Sequence, residues 1–511
     1  MKFVSFWRKS WVSLVALSLV FFVCFSLISG VTSFTQSAYG ATDEYTGKAP
    51  KYVFLFIGDG MSTPQVNSAQ MYLGNKLKPG VPAIEKLEFT KFPGVGSADT
   101  YDASSFIPDS ASTGTSIASG FKTLDGVINM DTTKKINYEP ITRKLKSQGY
   151  KIGVISTVTL NHATPAVFYA NESSRNNYYS IAKQMTTSNF DFFGGGYFGD
   201  PDGKKAGVEN GKNILDLAKD NGYKVVTTKE DILALNNKSG KVLSVDPVAL
   251  TAANGDMAYE IDRKPDELSL ADFVKKGIEV LDNPNGYFMM VESGKIDWAC
   301  HANDAGTSIM ETIAFNDAIK EALKVYREHP DETLIVVTGD HETGGMTIGF
   351  AGTDYKTVFG NLEKQKISYA NFDAIVNEYK KNTKVGEEKL EDLMPHITEY
   401  YGLALPTDPK AGDHIVLTES EITRLRDALR HTMIASSNVG NEYLLYGYQS
   451  KPLTVTANHI LNNRAGIQFS TYAHSGLAVP VYAIGAGHEL FFGAYDNTDI
   501  NKKLQMLTKA K

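Results

Sequence analysis

Apolar residues in this chain gather into short dense blocks separated by longer mixed stretches. "KYVFLFIGDG", "YKIGVISTV", "NGYFMMVESG", "ETLIVVTGDH" and "PVYAIGAG" each hold an apolar, β-branched run, and several end on Gly, Asp or Ser. A strand with one wet face alternates polar and apolar positions, whereas a continuous apolar run fits a strand buried on both faces. Helical patterns lie between the blocks. The rhythm predicts an α/β fold, a three-layer α/β/α sandwich around a largely parallel central sheet. In such sheets ligands sit beyond the carboxyl ends of the strands, which is where Asp59, Glu292, Asp340 and His341 fall.

The rhythm breaks from about residue 352 to 455. "ANFDAIVNEYKKN", "EEKLEDLMPHITEYYG" and "TESEITRLRDALRHTM" are charged and helix-like, which predicts a mainly helical insertion serving as a lid or an interface element. The chain shows neither an internal repeat nor a low-complexity tract.

At the start, Lys2, Arg8 and Lys9 precede the apolar run "WVSLVALSLVFFVCFSLIS", and Ala38 and Gly40 put small residues at −3 and −1 of a cut after Gly40. Residues 1–40 are read as a secretory signal peptide, giving a secreted, periplasmic or extracellular protein with no stable membrane insertion once the leader is cleaved. An uncleaved anchor is the alternative, because the run approaches the ~20 residues that span a bilayer. The net charge is −7, and the leader contains no acid, so the remainder carries −10. An acidic body argues against a nucleic-acid partner. Of the two cysteines Cys24 lies in the leader, so Cys300 has no intrachain disulfide partner in the body. At 511 residues and 42% hydrophobic content the core can be large without one.

"IPDSASTGTSIASG" holds six hydroxyl residues in fourteen positions. A helix starting there puts Ser110 in its first turn, where unpaired backbone N–H groups attract an anion; the plainer reading is that Ser110 merely caps the helix. Metal-type residues elsewhere shift that balance. Asp297 and His301 in "VESGKIDWACH" are four apart and share one face of a helix. "TGDHETGG" puts Asp340 and His341 side by side at a strand end, where their side chains diverge unless the chain leaves the extended form. "FIGDGM" sets Asp59 between glycines, "NHATPA" offers His162 and Thr164, and "YAHSG" offers His474. Mixed nitrogen and oxygen ligands suit zinc; an oxygen-rich subset suits magnesium.

"FIGDGM", "PDSASTGTSIASG", "HATPA", "VESGKIDWACH", "TGDHETGG" and "AHSG" occur in the order found in the alkaline phosphatase family, which the chain resembles from residue 51 to about 490. The resemblance implies one catalytic domain over 41–511 that hydrolyses phosphate monoesters. By similarity Ser110 is the nucleophile, Asp297, His301 and His474 hold one zinc, and Asp59, Asp340 and His341 hold a second that Ser110 completes. A third, magnesium-type site uses Asp59, Thr164 and Glu292, making two Zn2+ and one Mg2+ per chain. Arg175, in the polar run "NESSRNN", stands at the position of the family's phosphate-binding arginine. A homodimer is the family's common state.

The chain departs from the best-known enteric form, which has Asp and Lys where this one has His162 and Trp298. That pair resembles other branches, including some marine bacterial enzymes. It places His162 around the third metal, through water or by favouring zinc there, and it removes a charged contact to phosphate at Trp298, with weaker phosphate retention expected. The other histidines, at 329, 396, 414, 431, 459 and 488, match no ligand motif, and Cys300 is expected to be buried and inert. Two other readings compete. A sulfatase needs a modified-residue motif that is absent, and many phosphodiesterases use Thr as nucleophile and lack the third metal site. A non-catalytic metal- or phosphate-binding surface protein has no need of both the serine and the arginine.

Overall fold

The first apolar block forms β1 (Tyr52–Gly58), buried along its whole length. The remaining strands of the main sheet are β2 (Gly94–Asp99), β3 (Lys151–Ser156), β4 (Phe192–Gly195), β5 (Lys224–Val226), β6 (Val242–Val245), β7 (Tyr287–Ser293), β8 (Thr333–Gly339), β9 (Val479–Gly485) and β10 (Gly493–Asp496). Their order across the sheet is β10-β2-β9-β8-β1-β7-β3-β4-β6-β5. β9, the "PVYAIGAG" block, runs antiparallel to both β8 and β2, while the others share one direction. The computed structural model describes residues 45–434, 441–447 and 451–510, so the expected leader lies outside the described residues. From Gly47 onward the chain is one unit.

The helices that accompany the strands include α1 (Thr63–Leu77), α2 (Ser110–Ser119), α3 (Leu270–Leu281), α4 (Lys295–His301), α5 (Ala305–Glu328), α6 (Tyr369–Asn382), α7 (Leu390–Tyr401), α8 (Glu419–Ile434), α9 (Pro452–Ala465) and α10 (Thr498–Thr508). β1 shows why its block lacks polar positions. Tyr52, Phe54 and Phe56 join a core with Phe315 and Ile319 of α5, the Phe56 and Phe315 rings lying 5.8 Å apart edge to face. Val53, Leu55 and Ile57 point the other way and are equally sealed from water. Ile117 of α2 and Leu504 of α10 are also buried, outside the first core, and the two helices pack together. A polar residue at any of these β1 positions would be desolvated without a partner.

α6, α7 and α8 coincide with the three helix-like stretches of the segment 352–455. Phe372, Ile397, Leu425 and Leu429 from them belong to the same core as Phe56. With roughly 1.5–3 kcal/mol for each such side chain removed from water, this segment is fastened to the sheet rather than suspended from it.

Candidate active site

Four strand ends and two helix starts converge at one edge of the sheet. The register pairs Gly58 at the end of β1 with Ser293 of β7 on one side and Gly339 of β8 on the other. Asp59 and Asp340 are therefore each one residue past a matched pair, and Glu292 faces Ile57 across the ladder. Gly60 turns the chain with φ +73, and its N–H donates to Asp340 Oδ1 at 3.2 Å. After Gly339 the chain bends out of the extended form, which lets Asp340 and His341 serve the same site. α4 carries Asp297 and His301 on one face, Asp297 Oδ1 lying 3.3 Å from His301 Nε2.

Asp297, His301 and His474 form the first group, their ligand atoms all within 4.8 Å of one another. His301 Nδ1 faces the carbonyl of Tyr472 at 2.5 Å, and His474 Nδ1 that of Pro108 at 2.6 Å. Assigning the proton of each ring from these carbonyls makes Nδ1–H the donor and turns both Nε2 lone pairs inward, 3.3 Å apart. Two lone pairs and a carboxylate facing each other repel unless a cation lies among them.

Asp59, Asp340 and His341 form the second group, wholly buried. His341 Nε2 lies 3.2 Å from Asp59 Oδ1, 3.5 Å from Asp340 Oδ2 and 3.1 Å from Ser110 Oγ. Burial and the Asp59 charge push the Asp340 carboxyl up to about 8, and against the effect of burial Asp340 and Asp59 raise His341 to about 10. The ring of His341 stacks on that of His474 with centroids 3.6 Å apart, so the two groups abut.

The third group is Asp59, Glu292 and His162. Thr164 Oγ1 donates to Asp59 Oδ2 at 3.1 Å, and Ser156 Oγ donates to Glu292 Oε2. Glu292 Oε1 and His162 Nδ1 are buried without a hydrogen-bond partner. Orphaned polar atoms in a buried site are costly. Burial, then the Asp59 charge, holds the Glu292 carboxyl well above its ordinary range. Such crowded acid groups fit divalent cations, whose charge removes the repulsion.

Ser110 is the first residue of α2 and 2% exposed. The residue before it, Asp109, is the true N-cap: its Oδ1 accepts from Ser112 N at 3.0 Å and its Oδ2 from Arg175 Nη1 at 2.8 Å. Arg175 Nη2 lies 3.2 Å from His162 Nε2, and the Arg175 backbone N–H donates to Gly126 O at 2.7 Å, which fixes its segment. Burial works against the charged form of Asp109, yet Arg175 and the Ser112 N–H pull its carboxyl down to about 2. Burial followed by Arg175 lowers His162 to about 4, so its ring is neutral near pH 7. Trp298 meets His162 edge to face at 5.9 Å and offers no oxygen ligand.

The other five hydroxyls around Ser110 have local partners. Ser112 and Thr113 bond the Asp109 carbonyl, Ser116 and Ser119 bond carbonyls one turn back, and Thr115 reaches Val127 O. Thr113 also touches Asp340 Oδ2 at 3.2 Å. Cys300 is buried on α4, 3.3 Å from Ser308 Oγ, with burial pushing its thiol up. Sequence reasoning passed over Asp109, which the N-cap rule flags as the Asp before the helix. It also passed over Thr343, whose hydroxyl donates to Asp297 Oδ1 and lies 3.3 Å from His341 Nδ1. No local pattern marks that threonine.

Fold and site together define the class: a hydrolase working on phosphate esters at the carboxyl edge of a parallel sheet. The family model for alkaline phosphatase matches residues 50–510, and the chain belongs to the alkaline phosphatase family, metal-dependent phosphomonoesterases. Alkaline phosphatase 4 of Bacillus subtilis is 29% identical over 459 residues, 88% of this chain and 86% of that one. Among solved structures, a cold-active alkaline phosphatase from a psychrophilic Shewanella is similar at TM-score 0.71 and 28% identity, over 89% of this chain and 99% of the other. The alkaline phosphatase of Thermus thermophilus shares the fold at TM-score 0.74 and 22% identity, over 93% and 95% of the two chains.

Proposed function

We propose that this chain hydrolyses phosphate monoesters through a phosphoserine on Ser110, using two zinc ions and one magnesium ion per chain. The observation that carries the reading is the position of Ser110 Oγ, 3.1 Å from His341 Nε2 at the start of α2, with Arg175 held beside it by Asp109. The donor sets fit the ions. Asp297, His301 and His474 would hold one zinc, and Asp59, Asp340, His341 and Ser110 the other. Asp59, Thr164 and Glu292 would hold magnesium, with His162, whose Nε2 accepts from Arg175 and whose Nδ1 therefore carries the proton, acting through water. Bound divalent ions supply Lewis acidity and lower the pKa of the serine hydroxyl and of water.

The protein's own groups do the rest. Arg175 presents two N–H donors to non-bridging phosphate oxygens, and Asp109 keeps that guanidinium charged and aimed. Ser110 Oγ gives up its proton to solvent and attacks phosphorus, the P–O bond to the alcohol breaks, and the alkoxide takes a proton from water. A water then attacks the phosphoserine, losing a proton as the P–Oγ bond breaks; Ser110 Oγ regains a proton from solvent and inorganic phosphate leaves. Two inversions give overall retention at phosphorus. The backbone N–H groups at the α2 start stabilise the negative charge near Ser110 throughout.

The cavity over Ser110 measures about 840 Å3 and is lined by Trp298 and Tyr259 and, from the segment 352–455, by Tyr369, Asn371 and Lys451. It exceeds a phosphate group by far and suits leaving groups of varied size. The insertion thus acts as a wall of the pocket within one catalytic domain spanning 41–511. Residues 1–40 act as a secretory signal, which N-terminal sequencing of exported protein checks; no helix among the described residues is long and apolar enough to cross a membrane. A homodimer is expected and sedimentation mass tests it.

The decisive experiment is metal analysis alongside monoester hydrolysis before and after chelation, with zinc plus magnesium restoring turnover. Ser110→Ala loaded with the same ions should lose phosphoenzyme formation and most turnover, and near-wild-type turnover would falsify the assignment.

A further inference from the structure

A fourth carboxylate group lies outside the three groups described above. Asp102, Asp109 and Asp125 each bring a carboxylate oxygen within 4.8 Å of the others. Asp102 is 4% exposed, and its two oxygens are treated unequally. Oδ1 accepts from Ser104 N at 2.6 Å, Ser104 Oγ at 2.9 Å and Ser105 N at 2.7 Å; Oδ2 is buried with no partner. Asp125 Oδ1 accepts the Asp109 N–H at 3.0 Å. Asp109 spends its charge on Arg175. Nearby Lys122 is engaged by Asp496 at 3.1 Å and Asn497 Oδ1 at 2.8 Å, so among the described residues Asp102 and Asp125 take part in no ion pair.

Asp102 and Asp125 approach each other closely enough to share a proton, and when both are ionised they repel, the buried Oδ2 of Asp102 having no other donor. We infer that a hard divalent cation of the calcium kind binds between Asp102, Asp109 and Asp125. All the side-chain ligands are oxygens, which excludes a preference for zinc. Carboxylates with solvent completing the coordination suit the larger and looser oxygen shell of calcium. Asp125 is exposed, so water can complete the shell and the ion has an entry path. The loop at 102–105 is already tied to the segment at 123 by the Ala103 N–H to Thr123 O bond of 2.9 Å. An ion there would pin that loop, the turn at Asp125 and the α2 N-cap together, and through Asp109 would steady Arg175.

The test uses protein already loaded with zinc and magnesium, dialysed to equilibrium against radioactive calcium at about 1 mM, a concentration typical of extracellular calcium sites. The wild type should bind a single calcium per chain beyond unchanged zinc and magnesium contents, and its thermal midpoint should rise with calcium. Asp125→Asn, at an exposed position that tolerates the change, should lose both effects, as should Asp102→Asn. No added calcium in the wild type, or undiminished binding in Asp125→Asn, overturns the inference and leaves a proton shared by the two carboxylates.

Discussion

Gly60 and Gly80 offer a matched pair that separates backbone strain from crowding at the site. Their φ angles are nearly equal, +73 and +75. A methyl group on Gly80 meets nothing within 4 Å, whereas on Gly60 it would lie 2.8 Å from Asp297 Cα and 2.8 Å from Thr343 Oγ1. Placing an alanine in the left-handed region costs about 1–2 kcal/mol at either position. Gly60→Ala adds an overpacking cost of about 1–3 kcal/mol, for a total of about 2–5 kcal/mol against about 1–2 for Gly80→Ala. The extra cost falls on a sensitive pair, because Thr343 Oγ1 holds Asp297 Oδ1 and Asp297 faces both His301 and His474. Relief requires Asp297 to move outward, and disturbing such a support costs about 10–100-fold in metal affinity or activity. Urea unfolding of the metal-free variants measures the first effect; zinc retained after dialysis, together with kcat/KM, measures the second. If Gly60→Ala loses no more stability than Gly80→Ala and keeps its zinc, the close approach of β1's turn to α4 does not support the site.

Arg175→Ala removes both N–H donors and unpairs Asp109, so kcat/KM for a monoester should fall by about 100- to 1000-fold and inhibition by inorganic phosphate should weaken with it; unchanged phosphate inhibition would refute the role. Glu311 tests the electrostatics away from the metals: burial pushes its carboxyl up to about 7, with Lys295 opposing. The folded state holds this proton more tightly than the unfolded chain. Its contribution to stability is therefore complete below the unfolded value of about 4.3 and is lost as pH rises through about 7. Glu311→Gln keeps an acceptor for the Glu260 N–H, which lies 2.7 Å away, and cannot ionise. Relative to wild type it should gain up to about 3 kcal/mol between pH 4.5 and pH 8, and a difference that stays flat with pH would contradict the shift.

What the sequence displayed and what it hid follow from the range of each interaction. Burial on both faces makes β1 and the middle of β7 and β8, Phe288–Val291 and Leu334–Val337, continuously apolar, and the spacing of Asp297 and His301 is a property of one helix turn, so both were legible. β9 reads like any other buried strand because an apolar run carries no sign of direction. Arg175 sits in a polar run that suggests an ordinary surface. Its setting comes from Asp109, 66 residues away, and from the backbone bond to Gly126. Thr343 gains its place from a bend that brings it under Asp297. Such contacts depend on where the sheet delivers each loop, which periodicity does not encode.

The sheet order explains why three groups share one site. β8, β1 and β7 are consecutive, and neighbouring strands stand about 4.8 Å apart. The register sets Asp59 and Asp340 at the same level past Gly58 and Gly339, with Glu292 beside Ile57 on the far side. Ligands one strand spacing apart suit divalent ions about 3.5–4 Å apart, the separation that lets paired ions grip both the attacking and the leaving oxygen. Asp59, on the middle strand, can face either way and is common to the second and third groups. A change at Asp59 must therefore disturb both, while a change at Glu292 is confined to the third. Comparing Asp59→Asn with Glu292→Gln by metal content should show loss of more than a single ion in the first variant and of a single ion in the second. Equal losses would mean that the central strand does not couple the groups.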